Sequence, residues 1–389
     1  MSLLNHGGHR TSILASDIED VPALGERLAR FPWGLLFLIL MVTGIGLGVL
    51  YSAVGGGENV SLLLRQLGRF GGALTLMLML AFVGDYRLFR RYAYVIYGIT
   101  LLLLILVLIK GSVGMGARRW LDLGLFRFQP SEVMKVALVL ALGRYFHDRA
   151  ISKGVHWRDI WTPAAMILVP LGLIVQQPDL GTAVMVSVVG CVVVFAAGLS
   201  WKGVFAGLAT LGLSLPMAWN FMHDYQQQRV RTLFFPEEDP LGAGYHIIQS
   251  KIAVGSGGVM GKGFMAGSQS HLDFLPERHT DFIFSVLAEE WGFFGALFVL
   301  LLYMLIILRG LMISASARDR FGLLVGVGLT ALFGIQMVIN IGMVLGLLPV
   351  VGIPLPLVSY GGSSLLTVMI AMGLLAHISI HSRHAGHSV

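Results

Sequence analysis

A few charged side chains sit where a mostly apolar chain has least reason to place them. Glu132 and Lys135, in FQPSEVMKVALVLAL, lie three residues apart at the start of an apolar run. That spacing puts them on one helix face. They form either an internal ion pair that holds two helices together or part of a polar site, since a charge in a bilayer needs a partner or a wet cavity. Just ahead stand Arg118, Arg119 and Arg127, whose planar guanidinium groups suit a pyrophosphate. Asp281 opens a later apolar run, followed by Glu289 and Glu290, about 12–13 Å further on at helical rise. Both glutamates cannot face lipid, so at least one is expected to meet a buried cation or a cavity. Thr280 or Asp281 could simply cap the following helix. A helix N-terminus would favour the Asp281 carboxylate and weaken it as a base, whereas desolvation would raise its basicity. Asp179, in QQPDLGT, is equally a natural helix cap.

Charge is densest between Met222 and Asp281, where Arg229, Arg231, Lys251, Lys262 and Arg278 alternate with Glu237, Glu238, Asp239, Asp273 and Glu277. Connections of this length are usually functional or disordered. This one is too apolar and too glycine-punctuated for a solvated linker. HIIQSKIAV reads as a short interfacial or re-entrant helix, tolerated where it packs on protein or lines a cavity. GSGGVMGKG imitates a nucleotide-binding loop, but Ser256 stands where the spacing needs Gly, and Gly263 where it needs Ser or Thr. Its glycines are expected to serve tight turns and close backbone approach. His246, His271 and His279 have no ligand-like spacing, so no metal is assigned.

The elements that must hold these residues follow from composition. Of 389 residues 56% are hydrophobic and only 12% charged, against roughly 25% charged in soluble domains. The apolar residues come in long blocks, which makes this an all-α polytopic membrane protein of about ten transmembrane helices. The spans are expected near 33–54, 67–84, 93–110, 131–147, 162–176, 180–198, 203–221, 282–308, 321–348 and 356–380, within a membrane domain at 33–380. Short loops carry their Lys and Arg, among them Arg87, Arg90, Arg91, Arg309, Arg318 and Arg320, on the side of both tails, 1–32 and 381–389. The tails are therefore expected to be cytoplasmic. The loops at 111–130, 176–180 and 349–355, with the large, partly helical loop 222–281 between helices seven and eight, then face the periplasm of an inner membrane. The same rule accounts for the net charge of +6, so no nucleic-acid partner is inferred. The lone Cys191 excludes a disulfide framework. Gln336 and Asn340 share a helix face ahead of PVVGIPLPLVSYGGSS, whose prolines and glycines predict an irregular lead into the last span.

At these loops the sequence resembles the SEDS family (shape, elongation, division and sporulation), and its rod-shape branch more than its division branch. The matching segments are ARRWLDLG through FQPSEVMK, QQPDLGTA, RTLFFPEEDPLGAGYHIIQS, SKIAVGSGG with GKGF, FLPERHTDFIF and GLLPVVGIPLPLVSYGGSS. Together they span nearly the whole chain. The resemblance implies a peptidoglycan glycosyltransferase that polymerises lipid II into glycan strands for cell elongation and rod shape, releasing polyprenyl pyrophosphate. The family's essential acid falls on Asp281, as a base for the acceptor sugar hydroxyl. Arg119, Lys135, Arg229 and Lys262 could stabilise the leaving pyrophosphate. Arg118, Trp120, Gln129, Ser131, Glu132, Asp179, Arg278, His279, Thr280, Ser359 and Ser363 complete the candidate substrate-binding set. A divalent cation (Mg or Mn) could assist, although no clean ligand set is visible. Implied partners are lipid II, the nascent strand, a class B penicillin-binding transpeptidase and other rod-complex membrane proteins. Two rival readings are a lipid II transporter, which broken helices with buried charges also suit, and a non-catalytic scaffold for cell-wall enzymes.

Overall fold

The computed structural model describes residues 23–382, apart from 56–59, 84–85, 115–116, 123, 125–126, 150–156, much of 200–223, 240–241 and 269–276. Uninterrupted Leu, Val, Ile and Phe runs become helices because, away from water, each backbone amide must be satisfied within its own segment. The helices are α1 (Leu24–Arg30), α2 (Trp33–Ala53), α3 (Val60–Val83), α4 (Tyr86–Lys110), α5 (Pro130–Asp148), α6 (Trp157–Gln176) and α7 (Leu180–Ala196). They continue as α8 (Asp224–Phe234), α9 (Ala243–Ser256), α10 (Ile283–Ala315), α11 (Arg320–Val344) and α12 (Gly362–Ile380). Among the described residues, seven regions, in α2, α3, α4, α6, α10, α11 and α12, are long and apolar enough to cross a membrane. The charge-bearing α5 and the shorter α7 match two further predicted spans. The expected span at 203–221 lies mostly outside the described residues, as do most of the two tails.

Two expectations need correction. The second span begins at Val60 and not near 67, so Arg65 and Gln66 ride on α3 together with Arg69. The connector after α4 folds into a small antiparallel sheet, β1 (Ser112–Gly114), β2 (Ala117–Asp122) and β3 (Arg127–Phe128), in the order β1-β2-β3. Its register pairs Ser112 with Trp120 and Asp122 with Arg127. Short strands here satisfy backbone groups that a loose loop at a membrane edge would leave open.

The interior runs along α5 and α11. Helix α5 is buried over most of its length, and α11 packs against α5, α7 and α10. Helices α3, α4 and α6 turn Leu64, Val95, Leu102, Ile109, Trp161 and Leu168 outward, as lipid-facing helices do.

Helix α10 is broken at Gly292, with φ 66° and ψ −164°, a conformation glycine adopts without a steric penalty. The break frees carbonyls before it and amides after it, and the loop following α9 fills both sets. Lys262 N donates to Glu289 O at 3.0 Å and Gly263 N to Glu290 O at 3.0 Å. On the other side Phe293 N donates to Gly258 O at 2.9 Å and Phe294 N to Val259 O at 3.3 Å. The backbones lie so close that a Cβ on Gly292 would overlap the Gly261 nitrogen. The glycine-rich GSGGVMGKG segment thus serves close backbone approach, as expected.

Between α11 and α12 the chain runs irregularly through 345–361, pinned from three sides. Asn340 Nδ2 donates to Ile353 O at 2.7 Å and Gln336 Nε2 to Pro354 O at 3.0 Å. Tyr303 of α10 donates to Pro356 O at 2.5 Å, and Gln66 of α3 to Ser359 O at 3.3 Å. Gly46 of α2 packs so tightly here that a Cβ would stand 2.6 Å from Val358 Cα.

Candidate active site

Asp281 lies two residues ahead of α10. Phe282 occupies the helix N-cap position and makes no side-chain cap. Thr280 Oγ1 instead donates to Glu277, to its backbone O at 3.1 Å and its Oε2 at 2.9 Å. The capping roles considered for Thr280 and Asp281 are therefore not taken up, and the Asp281 carboxylate is left for other work. Its backbone is fixed by Asn340 Nδ2, which donates to Asp281 O at 2.8 Å while holding Ile353. Ser359 Oγ donates to Thr280 O at 2.5 Å and accepts from Leu355 N at 2.7 Å, and Tyr360 N donates to His279 O at 2.9 Å. The approach to α10 and the segment ahead of α12 are thus joined into one rigid rim.

Burial pushes the Asp281 carboxyl up to about 6 from 3.8, and neighbouring Glu277 adds to the rise. Arg229 of α8 and Arg119 of β2 oppose it, which places both cations within electrostatic reach. At neutral pH the group is therefore mostly ionised yet more basic than an ordinary carboxylate, the condition a general base needs. His279 is held below its usual value by burial, with Glu277 raising it and Arg278 lowering it. Its ring meets Tyr360 edge-on at 5.9 Å.

Arg119 is itself well anchored. Its Nε donates to Gln177 O at 3.3 Å and its Nη2 to Pro178 O, while Nη1 lies 3.8 Å from Asp179 Oδ1. Asp179 does cap α7, accepting from Thr182 N at 3.3 Å, and also accepts from Gln129 Nε2 at 3.0 Å. Gln129 leads into α5, where Glu132 and Lys135 form a buried pair at 2.8 Å, about 4.5 and 9 Å further along that helix. This pair lies within one helix and does not bridge two. Glu132 Oε2 and Ser131 Oγ are buried without a hydrogen bond among the described residues.

Other expected contributors sit elsewhere or serve the frame. Lys262 is bound to Glu289 at 2.7 Å, with Ser268 at 2.8 Å, beside the α10 break. It neutralises a fully buried carboxylate and does not join the Asp281 cations. The partner expected for Glu289 is thus present, and Glu290 takes a hydrogen bond from Ser52. Arg278 Nε donates to Ala53 O at 2.6 Å, tying the rim to α2. Ser363 Oγ lies 3.4 Å from Arg127 O, and Trp120 O accepts from Ser112 Oγ at 3.1 Å within the small sheet. Arg118 belongs to β2, and its side chain lies outside the described residues. HIIQSKIAV forms most of α9 as expected, and His246 from it stacks on Phe282, centroids 5.8 Å apart. Sequence reasoning missed Arg69, whose guanidinium lies 4.6 Å above the Tyr360 ring. A cation on a membrane-spanning helix was the available signal.

Comparison with known proteins adds a consistent result. The family model described as "Cell cycle protein", covering FtsW, RodA and SpoVE, matches residues 27–384. The chain is 44% identical over 359 residues to "Peptidoglycan glycosyltransferase MrdB" of Escherichia coli strain K12, covering 92% of this chain and 95% of that one. It is 38% identical, with a TM-score of 0.78, to a chain in a solved structure of a peptidoglycan synthase complex that coordinates polymerisation and crosslinking, covering 90% and 97% of the two chains. The crystal structure of the Thermus thermophilus rod shape determining protein RodA is 36% identical with a TM-score of 0.67, covering 90% and 96%.

Proposed function

We infer that this chain, which belongs to the FtsW/RodA/SpoVE family and is a peptidoglycan glycosyltransferase, joins lipid II units by base catalysis at Asp281. The carrying observation is a carboxylate with its backbone locked by Asn340, raised to about 6, and flanked by Arg119 and Arg229. Asp281 takes the proton from an acceptor sugar hydroxyl. The freed oxygen attacks the anomeric carbon of the donor, a new C–O bond forms with inversion, and the bond to the polyprenyl pyrophosphate breaks. Arg119 and Arg229 offset the charge that gathers on the leaving group. The rigid rim of 277–281 and 353–361 supplies positioning, which matters most when both substrates are tethered to a membrane. The buried Glu132–Lys135 pair, with open acceptor and donor capacity beside it, supports a polar hollow reaching below the rim. Trp120, Gln129, Ser131, Asp179, Arg278, His279, Thr280, Ser359 and Ser363 then line or brace the substrate path. No metal is assigned to it.

The charge distribution of the loops supports a periplasmic rim, cytoplasmic tails and an inner-membrane location. Likeness to a synthase complex supports a class B penicillin-binding transpeptidase as partner within the rod complex. The test is purified protein given labelled lipid II in detergent, alone and with that transpeptidase. Glycan ladders from wild type that vanish in Asp281→Asn are expected. Ladders of normal yield from the variant would remove Asp281 from the chemistry.

A further inference from the structure

Helix α8 presents two different chemistries. Arg229 acts on Asp281. About 100° around the helix per residue, Asp224, Gln228 and Arg231 recur on another stripe, which continues to Phe235 just beyond the helix end. That stripe and the turn at Pro236–Glu238 enclose a crevice of about 450 Å³, to which Glu238 and Asp239 also contribute. The size is within the range of small-ligand sites, about 300–1,000 Å³.

The lining narrows what could occupy it. Asp224, Glu238 and Asp239 against Arg231 leave two formal negative charges, so a pyrophosphate or another anion is repelled. The polar walls equally disfavour a hydrocarbon tail. Carboxylates accept hydrogen bonds, the Gln228 amide both donates and accepts, and the guanidinium donates in a fixed fork. Phe235, 60% exposed, offers a flat apolar surface. Paired planar donors and acceptors beside an exposed aromatic ring match a neutral, hydroxyl- and acetamido-bearing sugar chain.

We propose that the crevice between α8 and the Pro236–Glu238 turn is a saccharide subsite that holds the neutral glycan backbone of the polymer beside the reacting centre. The inference rests on the strand-polymerising reading above. It separates the substrate by charge: the anionic lipid pyrophosphate goes to the Arg119 and Arg229 side, and the uncharged sugars to the other side of the same helix. A strand gripped here stays next to Asp281 between additions.

The test uses the full chain in detergent and the uncharged β-1,4-linked tetrasaccharide of N-acetylglucosamine, titrated calorimetrically. Wild type should bind it, and Asp281→Asn should bind it equally. The double variant Gln228→Ala/Glu238→Ala and the single variant Phe235→Ala should each weaken binding at least about tenfold, about 1.4 kcal/mol. With lipid II as substrate both should yield shorter strands. No tetrasaccharide binding by wild type, unchanged affinity in both variants, or binding only when a peptide stem is attached would each overturn the proposal. Persistent ladders from Asp281→Asn would instead refute the catalytic reading while the titration still decides the crevice.

Discussion

Replacing Asp281 by Asn should stop the reaction and stabilise the protein. The carboxyl is raised from 3.8 to about 6, and each pH unit corresponds to about 1.4 kcal/mol. Keeping it ionised in this setting therefore costs about 3 kcal/mol relative to water. It keeps some solvent contact, so screening reduces the net figure to roughly 1–3 kcal/mol. Asn has nearly the same shape, carries no charge and leaves the backbone bond to Asn340 intact. The folded value lies above the unfolded one, so the folded chain holds this proton more tightly. Its contribution to stability is fully present below about pH 3.8 and is lost as pH rises through about 6. Thermal unfolding of wild type and variant across this range should show the variant ahead by a few degrees at pH 7. The gap should close towards pH 4. Polymerisation should fall by about 10²–10⁴-fold, the usual contribution of a general base. A variant less stable than wild type at pH 7, or a gap that does not change with pH, would refute the desolvated-base argument.

Three further outcomes follow from the same geometry. Arg229→Met removes a cation that lowers the Asp281 carboxyl, so the acid limb of the pH–rate profile should move upward from about 6 while the maximal rate drops. Lys262→Ala leaves the fully buried Glu289 without its ion-pair partner, a loss of about 2–4 kcal/mol by thermal unfolding, somewhat below that of a fully buried pair. Adding Glu289→Gln should restore part of it, and the KM for lipid II should change little. Asn340→Ala orphans the carbonyls of Asp281 and Ile353, a loss of about 2–5 kcal/mol. The same variant should turn over more slowly than its folded fraction explains; normal specific activity would show that the rim needs no such clamp.

Much of this was legible from residue types, because long apolar runs and misplaced charges are local signals. The helices, the Asp179 cap, the helical HIIQSKIAV piece and the buried company of Glu289 all came from segments readable by themselves. The unforeseen parts depend on distant backbone. Nothing near Gly292 announces that residues 258–263 will complete its helix. Lys262 looked like a free cation because its partner stands 27 residues away. Gln66 lies ahead of the apolar run expected at 67–84, and the ring that Arg69 covers, Tyr360, belongs to a segment almost 300 residues away. The short sheet at 112–128 has strands too brief for alternation to register. The assignment of Asp281 itself came from family resemblance, and the carboxylate's surroundings give that resemblance a physical reason.

The splice at Gly292 has a consequence for how this protein can loosen. Four main-chain bonds join two stretches of chain that are remote in sequence, and neither stretch can meet its own demand for partners if the other departs. Detachment would strip the carbonyls of Glu289 and Glu290 and the amides of Phe293 and Phe294 of their partners together, which couples the four bonds. The two rods of α10 can therefore hinge against each other only while carrying the inserted loop with them. A disturbance arriving along the far rod would then reach the Asp281 end through this junction, and through Glu289 and Glu290 seated at it.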